Sequence, residues 1–285
     1  MEKRKEEIMK FVFLLAACAS IATVAMICLF LFANGLPTIG KIGAADFFLG
    51  ERWRPANDVY GILPMILGSL YVTLGAIVVG VPVGILTAVF MARFCPEKIY
   101  NVLKPSVELL AGIPSVVYGF FGLVVMVPFI REHIGGTGSS MLTASLLLGM
   151  MILPTLISVA EAALISAVPD SYYEGALALG AGHVRSVFFT VVPAAKSGIM
   201  AAIILGMGRA VGETMAVIMV AGNQARMPIG ILEGVRTMTT NIVIEMGYAA
   251  DLHRDALIAT AVVLFVFILI INLTFSYLKG KVVQQ

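Results

Sequence analysis

Charge is what this sequence has least of. Only 13% of its 285 residues are Asp, Glu, Lys or Arg, against about 25% in ordinary soluble domains. A mean hydropathy of +0.99 excludes a water-soluble fold. The net charge of +2 offers nucleic acid no basic face. Cysteine is also scarce. Cys18, Cys28 and Cys95 have no metal or redox spacing and read as free thiols. No two histidines are paired, and no Ser-His-Asp order is present. Gly35 to Lys41 has the glycine-lysine spacing of a phosphate-binding loop. However, Ile42 stands where a hydroxyl must reach magnesium, and no strand precedes it. Hence no ATPase site is expected, and any pump built on this chain borrows its motor.

What the chain does have is long apolar runs. Lys3, Arg4, Lys5 and Lys10 precede an apolar stretch over 11–32. That stretch is too long for a signal-peptide core and reads as a membrane anchor. Six spans are predicted, at 10–34, 63–92, 105–130, 141–166, 197–222 and 256–278. Each covers ~30 Å of hydrocarbon at ~1.5 Å per residue. The fold class is therefore all-α, a polytopic membrane helix bundle in contact with lipid, forming one domain over 1–285. Both termini are placed inside. Of the 19 lysines and arginines, that leaves eleven inside, seven outside and Arg209 within the membrane. The segment 167–196 then faces the cytoplasm. The outer segments 35–62 and 223–255 read either as caps over the bundle or as interfacial helices anchored by Trp53, Tyr60 and Tyr248.

Gly80-x-x-x-Gly84 and Gly208-x-x-x-Gly212 predict close helix packing. Pro82, Pro114, Pro128 and Pro154 predict local loosening of their helices. Arg209 and Glu213 lie in the fifth span, four residues apart. On one continuous helix they share a face about 6 Å apart along the axis. Each costs about 2.5–3.5 kcal/mol at the centre of a lipid-facing helix, so they should pair or face a polar cavity. An arginine there can fork onto a tetrahedral oxyanion. Arg209 is thus the candidate for an anion path, with Glu213 holding or gating it. A membrane-embedded hydrolase would need a nucleophile and a base at this depth, and neither residue suits. Glu161 falls towards the inner end of the fourth span.

Between the fourth and fifth spans runs EGALALGAGHVRSVFFTVVP, residues 174–193. Ser171-x-x-Glu174 has capping-box spacing and predicts a short helix ending near Gly180. Gly180 and Gly182 predict a sharp turn. A second helix is predicted from about His183 to Val191, ended by Pro193. Its apolar side, Val187, Phe188, Val191 and Val192, reads as a knob for a soluble partner. His183 reads as a solvated residue.

Glu174, Ala176, Gly180 and Pro193 match the spacing of the cytoplasmic loop by which ABC importer permeases dock onto their ATPase. Gly175, Thr190 and Val192 depart from its usual residues. The whole chain resembles the permease subunits of Pst-type phosphate importers, and the PstC subunit more than PstA. Asp46–Gly50, Trp53-Arg-Pro55, Tyr60–Pro64, residues 111–122 and Gly208–Ala216 carry the likeness. The resemblance implies a second, PstA-like permease subunit, a PstB-like ATPase dimer that uses ATP and magnesium, and an external PstS-like phosphate-binding protein. It implies that this chain binds no cofactor. Its place would be the cytoplasmic membrane of a bacterium or archaeon. On this likeness Pro114, Ser115 and Tyr118 either line or shape the path or pack beside it. The Arg-x-x-Gly-Glu element is shared with molybdate and sulphate permeases, so molybdate, tungstate or sulphate are the alternative cargoes.

Overall fold

The computed structural model describes residues 2–166 and 168–283. Ala167, where the predicted docking segment begins, and the ends of the predicted domain, Met1, Gln284 and Gln285, lie outside them. Five described helices are long and apolar enough to cross a membrane, or up to six if one bent pair is counted as a span. Helix α1 (Glu2–Ile42) runs the length of the molecule and leads into α2 (Ala44–Leu49). The phosphate-loop-like stretch is part of α1, and Gly35 lets α1 approach Ala259 and Val262. A two-stranded antiparallel ribbon follows, β1 (Trp53–Arg54) with β2 (Val59–Tyr60). Then come α3 (Leu63–Arg93) and α4 (Glu97–Gly112).

The third predicted span is not one helix. It breaks at Ile113-Pro114, because proline has no N–H and forces the preceding residue into extended geometry. Residues 105–112 belong to α4. The spanning helix is α5 (Ser115–Phe121), a π-turn at Gly122–Met126 and α6 (Val127–His133). Pro128 follows that π-turn. By contrast, Pro82 and Pro154 sit inside unbroken helices.

At the centre is α7 (Met141–Ser166), packed along α3. Gly80 and Gly84 make this possible, since a Cβ at either would strike Gly149, Ile152 or Leu156. The predicted close packing therefore holds for this glycine pair. It fails for Gly208 and Gly212, which face open space. The core around α7 includes Leu147, Leu148, Met151, Ile152 and Leu156. Burying each large side chain is worth roughly 1.5–3 kcal/mol where water is the alternative; against lipid, close packing carries the association.

Glu161 on α7 is 1% exposed. It accepts Lys104 Nζ at 2.6 Å and the Tyr100 hydroxyl at 2.7 Å, both from α4. That hydrogen bond, with burial adding to it, pushes the Tyr100 phenol up to about 12. A buried carboxylate stripped of its cation is strongly destabilising. Lys104→Met should therefore cost about 3 kcal/mol and lower the thermal unfolding midpoint. Lys104→Met with Glu161→Met should recover most of that. Equal midpoints for the single variant and the parent would overturn this account.

The remaining elements are α8 (Asp170–Ala178), α9 (His183–Ser186), a π-turn at Val187–Val191, α10 (Val192–Ala194) and α11 (Lys196–Gly212). After these come α12 (Met215–Val220), α13 (Met238–Met246) and α14 (Asp251–Val283). α14 packs antiparallel on α1, with Phe32 against Phe265, so the described start of α1 and end of α14 point towards the end that carries α8. At the opposite end, Trp53 and Tyr60 are buried in a second core with Phe47, Ile62 and Met65. They are not interfacial anchors. Trp53 Nε1 donates to Glu245 on α13 at 2.7 Å, which locks the 53–60 ribbon onto the 223–255 segment. The two segments thus form one cap over the bundle.

Candidate functional site

The fifth predicted span, 197–222, is also broken. α11 stops at Gly212, Glu213 is extended (φ −70°, ψ 133°), and α12 restarts at Met215. Arg209 and Glu213 therefore share no continuous helix face. They form no ion pair with each other, and none of the ion pairs among the described residues involves Arg209. Glu213 turns the other way. Its Oε1 accepts the backbone N–H groups of Thr214 at 3.0 Å and Ala216 at 3.2 Å, capping the first turn of α12. A helix start leaves such N–H groups without partners, and inside a membrane water cannot supply them. The carboxylate is thus committed to the backbone.

This leaves Arg209 nearly unspent. Its Nη1 reaches Thr155 Oγ1 on α7 at a long 3.4 Å. Its flanking glycines, Gly208 and Gly212, open the helix surface beside it. On α5 the Tyr118 hydroxyl donates to Leu110 O at 3.0 Å across the Pro114 break. Gly119, on the next position, lets α5 approach α12, since a Cβ there would strike Met219 and Ala216. Pro114 and Ser115 begin the same turn. The structure therefore gathers Arg209, Glu213 and Tyr118 around one broken helix. Thr155 joins them from α7, and sequence reasoning missed it because it lies 54 positions away.

The segment at the other end is an elbow. α8 starts at Asp170 behind Pro169, and no side chain caps it, so the predicted capping box of Ser171 and Glu174 does not form. Gly180 makes the turn with φ +86°, a conformation that costs other residues more. Gly182 keeps an ordinary negative φ. The second helix does not end at Pro193. It runs from His183 to Ala194 through its π-turn, then bends by 68° into α11.

The predicted apolar knob holds only for Phe188, which is exposed. Val187 and Val191 are fully buried in the core, and Val192 packs against it. The most exposed apolar side chains of the elbow are Leu179 (91%), Phe189 (77%) and Val184 (60%). Glu174, Gly175, Gly180 and Pro193 are exposed around them, with Ala176 half-buried. His183 is not free. Its Nδ1 lies 2.7 Å from the Tyr173 hydroxyl, and its ring stands edge-on to Phe94 at 4.6 Å. Arg93, at the end of α3, donates to Leu164 O at 2.9 Å, pairs with Asp170 at 3.3 Å and lies over the Tyr173 ring. Arg93 and Phe94 thus fasten the elbow to α3 and α7. Nothing in the local sequence signals that role.

The bundle has a fold found among ABC transporters. Two solved structures share its fold. One is a bacterial ABC transporter involved in the import of the acidic polysaccharide alginate, with TM-score 0.63 at 16% identity, covering 98% of this chain and 99% of that one. The other is the MetNI methionine ABC transporter in an inward-facing conformation, with TM-score 0.58 at 21% identity, covering 78% and 94%. Residues 80–284 match the family described as the binding-protein-dependent transport system inner membrane component, and this chain belongs to that family. A probable ABC transporter permease protein, YqgH of Bacillus subtilis, is 38% identical over 94% of this chain and 89% of its own length. The phosphate transport system permease protein PstC of Mesorhizobium japonicum is 31% identical over 88% and 83%. A probable PstC of Methanocaldococcus jannaschii is 30% identical over 87% and 85%.

Proposed function

We propose that this chain is the PstC-type permease subunit of an ATP-driven importer that moves inorganic phosphate into the cytoplasm. Arg209 carries the reading: a cation without a carboxylate partner, beside a helix break and open glycines. In a low-dielectric path such a group offsets the charge of a passing oxyanion, and its planar fork suits two phosphate oxygens. The named PstC relatives support phosphate over molybdate, tungstate or sulphate.

In this reading α8 to α10 form the docking elbow within a single permease domain. Both chain ends lie on the cytoplasmic side with it, and the cap of residues 53–60 and 223–255 faces outward. Leu179, Val184 and Phe189 enter a groove on a separate ATPase subunit, with Glu174, Gly175, Ala176, Gly180 and Pro193 setting the elbow's shape. ATP and magnesium act in that ATPase dimer, and this chain holds no cofactor. Closure of the ATPase pulls the elbow. Arg93, Phe94 and Tyr173 pass the displacement to α3 and α7. The bundle, paired with a PstA-like permease, then rocks between outward and inward openings, and an external PstS-like binding protein delivers the anion. Multi-pass residence in a bacterial or archaeal cytoplasmic membrane follows.

The test is uptake of labelled phosphate by the complex reconstituted with its ATPase and binding protein. Unlabelled phosphate should compete, while molybdate, tungstate and sulphate at equal concentration should not. Competition by one of those three in place of phosphate would overturn the cargo and leave the importer class standing.

A further inference from the structure

The break in the fifth span leaves backbone groups that something must satisfy. Three are handled locally. Glu213 accepts the N–H groups of Thr214 and Ala216, and the Thr214 hydroxyl donates to Gly212 O at 3.2 Å. A fourth is supported from far along the chain. The carbonyl of Glu213 itself accepts the hydroxyl of Thr239, 26 residues on, at 3.1 Å.

Thr239 lies in the first turn of α13, buried in a cluster of hydroxyls. A proton inventory orients the cluster. The Thr240 hydroxyl donates to Thr237 O at 3.0 Å, so its oxygen is free to accept Thr237 N–H at 2.9 Å. Thr239 spends its single proton on Glu213 O. The Thr237–Thr239 hydroxyl contact of 2.9 Å is then donated by Thr237. The Thr237 proton is shared between Thr239 Oγ1 and Thr240 Oγ1, at 2.9 and 3.1 Å, and Thr239 is the member of the cluster whose proton reaches the break.

α13 is itself held firmly. Ser69 on α3 accepts Met238 N–H at 2.9 Å. At the far end of α13, the buried Glu245 carboxylate receives Trp53 Nε1 at 2.7 Å, Arg236 Nη1 at 2.6 Å and the His253 ring at 2.8 Å. These donors come from the ribbon, the 223–237 segment and α14. The cap is therefore one rigid piece. Its Asn223 amide and Val235 N–H bond Ile218 O and Ala221 O further along the fifth span, and Thr239 is its hydrogen bond to the break itself.

We propose that Thr239 is a positioning residue for the anion path: its hydroxyl fixes the Glu213 carbonyl and thereby ties the geometry of the Arg209–Glu213 break to the cap. This rests on the reading that Arg209 lines the path. Movement of the cap is then felt at the break, and displacement of the break is felt at the cap. A misplacement of a fraction of an ångström at a pathway group is enough to slow transport without changing what is bound outside.

The experiment uses the complete complex and the series Thr239→Ser, Thr239→Cys and Thr239→Val. Serine keeps the donor, cysteine is a weak donor of similar size, and valine keeps the shape without a donor. Maximal uptake of inorganic phosphate should fall about tenfold in Thr239→Val. The half-saturating concentration, set by the external binding protein, should stay unchanged. Thr239→Ser should restore uptake, and Thr239→Cys should fall between.

Hydrogen exchange on the same complexes needs no cargo. The amides of Thr214 and Ala216 should exchange about fivefold faster in the valine variant and at the parental rate in the serine variant. Unchanged exchange with valine, parental uptake with valine, or failure of serine to rescue would each overturn the proposal. If the parent complex takes up no phosphate, the cargo assignment fails, while the exchange series still decides the role of Thr239. If valine does not assemble, the graded serine and cysteine values decide it.

Discussion

Arg209→Gln should cut phosphate uptake by about two orders of magnitude while the complex assembles normally. A guanidinium fork makes two charge-assisted hydrogen bonds to an oxyanion, each worth roughly 1.5–3 kcal/mol, and an uncharged amide makes neither of comparable strength. At about 1.4 kcal/mol per decade, losing most of that interaction predicts roughly a hundredfold effect. The structural loss is small, because the side chain gives up one long bond to Thr155 and no ion pair. That contrast makes the variant informative. Arg209→Lys should fall in between, since a lysine keeps the charge and loses the fork. Uptake at the parental rate by a well-assembled Arg209→Gln complex would remove Arg209 from the path.

The second large effect concerns the elbow. Leu179→Asp combined with Phe189→Asp should release the ATPase subunit during purification. Both side chains are among the most exposed apolar groups of the chain, so neither change disturbs the permease core. Apolar anchors of an interface typically cost about 2 kcal/mol or more each when removed. The pair therefore predicts at least a hundredfold weaker association. The unfolding midpoint of the permease alone should not move. Co-purification of stoichiometric ATPase with the double variant would refute the docking face. Changing the buried Val187 or Val191 is a poorer test, because those positions fill the core and unfolding would mimic release.

The two sites differ in how far they were legible in advance. The segment proposed for docking stood out by position and spacing, and Gly180 turned as its residue type demands. Which of its apolar residues face outward was not legible. A helix of this length with valine and phenylalanine on several sides has no unique buried face until its neighbours are known. The π-turn at 187–191 shifts the register further. At the other site, the expected Arg209–Glu213 pair assumed an unbroken helix. Four-residue spacing implies adjacency only while the helix continues, and Gly212 ended it. Once it ended, the nearest unsatisfied donors to Glu213 were backbone N–H groups, and they captured the carboxylate.

The sequence by itself determined the solvent, the helical class, the long spans at 63–92 and 141–166, the close approach at Gly80 and Gly84, and the presence of a costly charge at Arg209. These follow from local quantities: hydropathy, residue size and charge. Only the tertiary structure decided where helices break and which charges find partners. Trp53 meets Glu245 across 192 positions, Lys104 meets Glu161 across 57, and Thr239 meets Glu213 across 26. In a medium without water each such group must find a donor or acceptor inside the protein. The fold chooses that partner by bringing distant segments within 3 Å or so of each other, a distance no local pattern encodes.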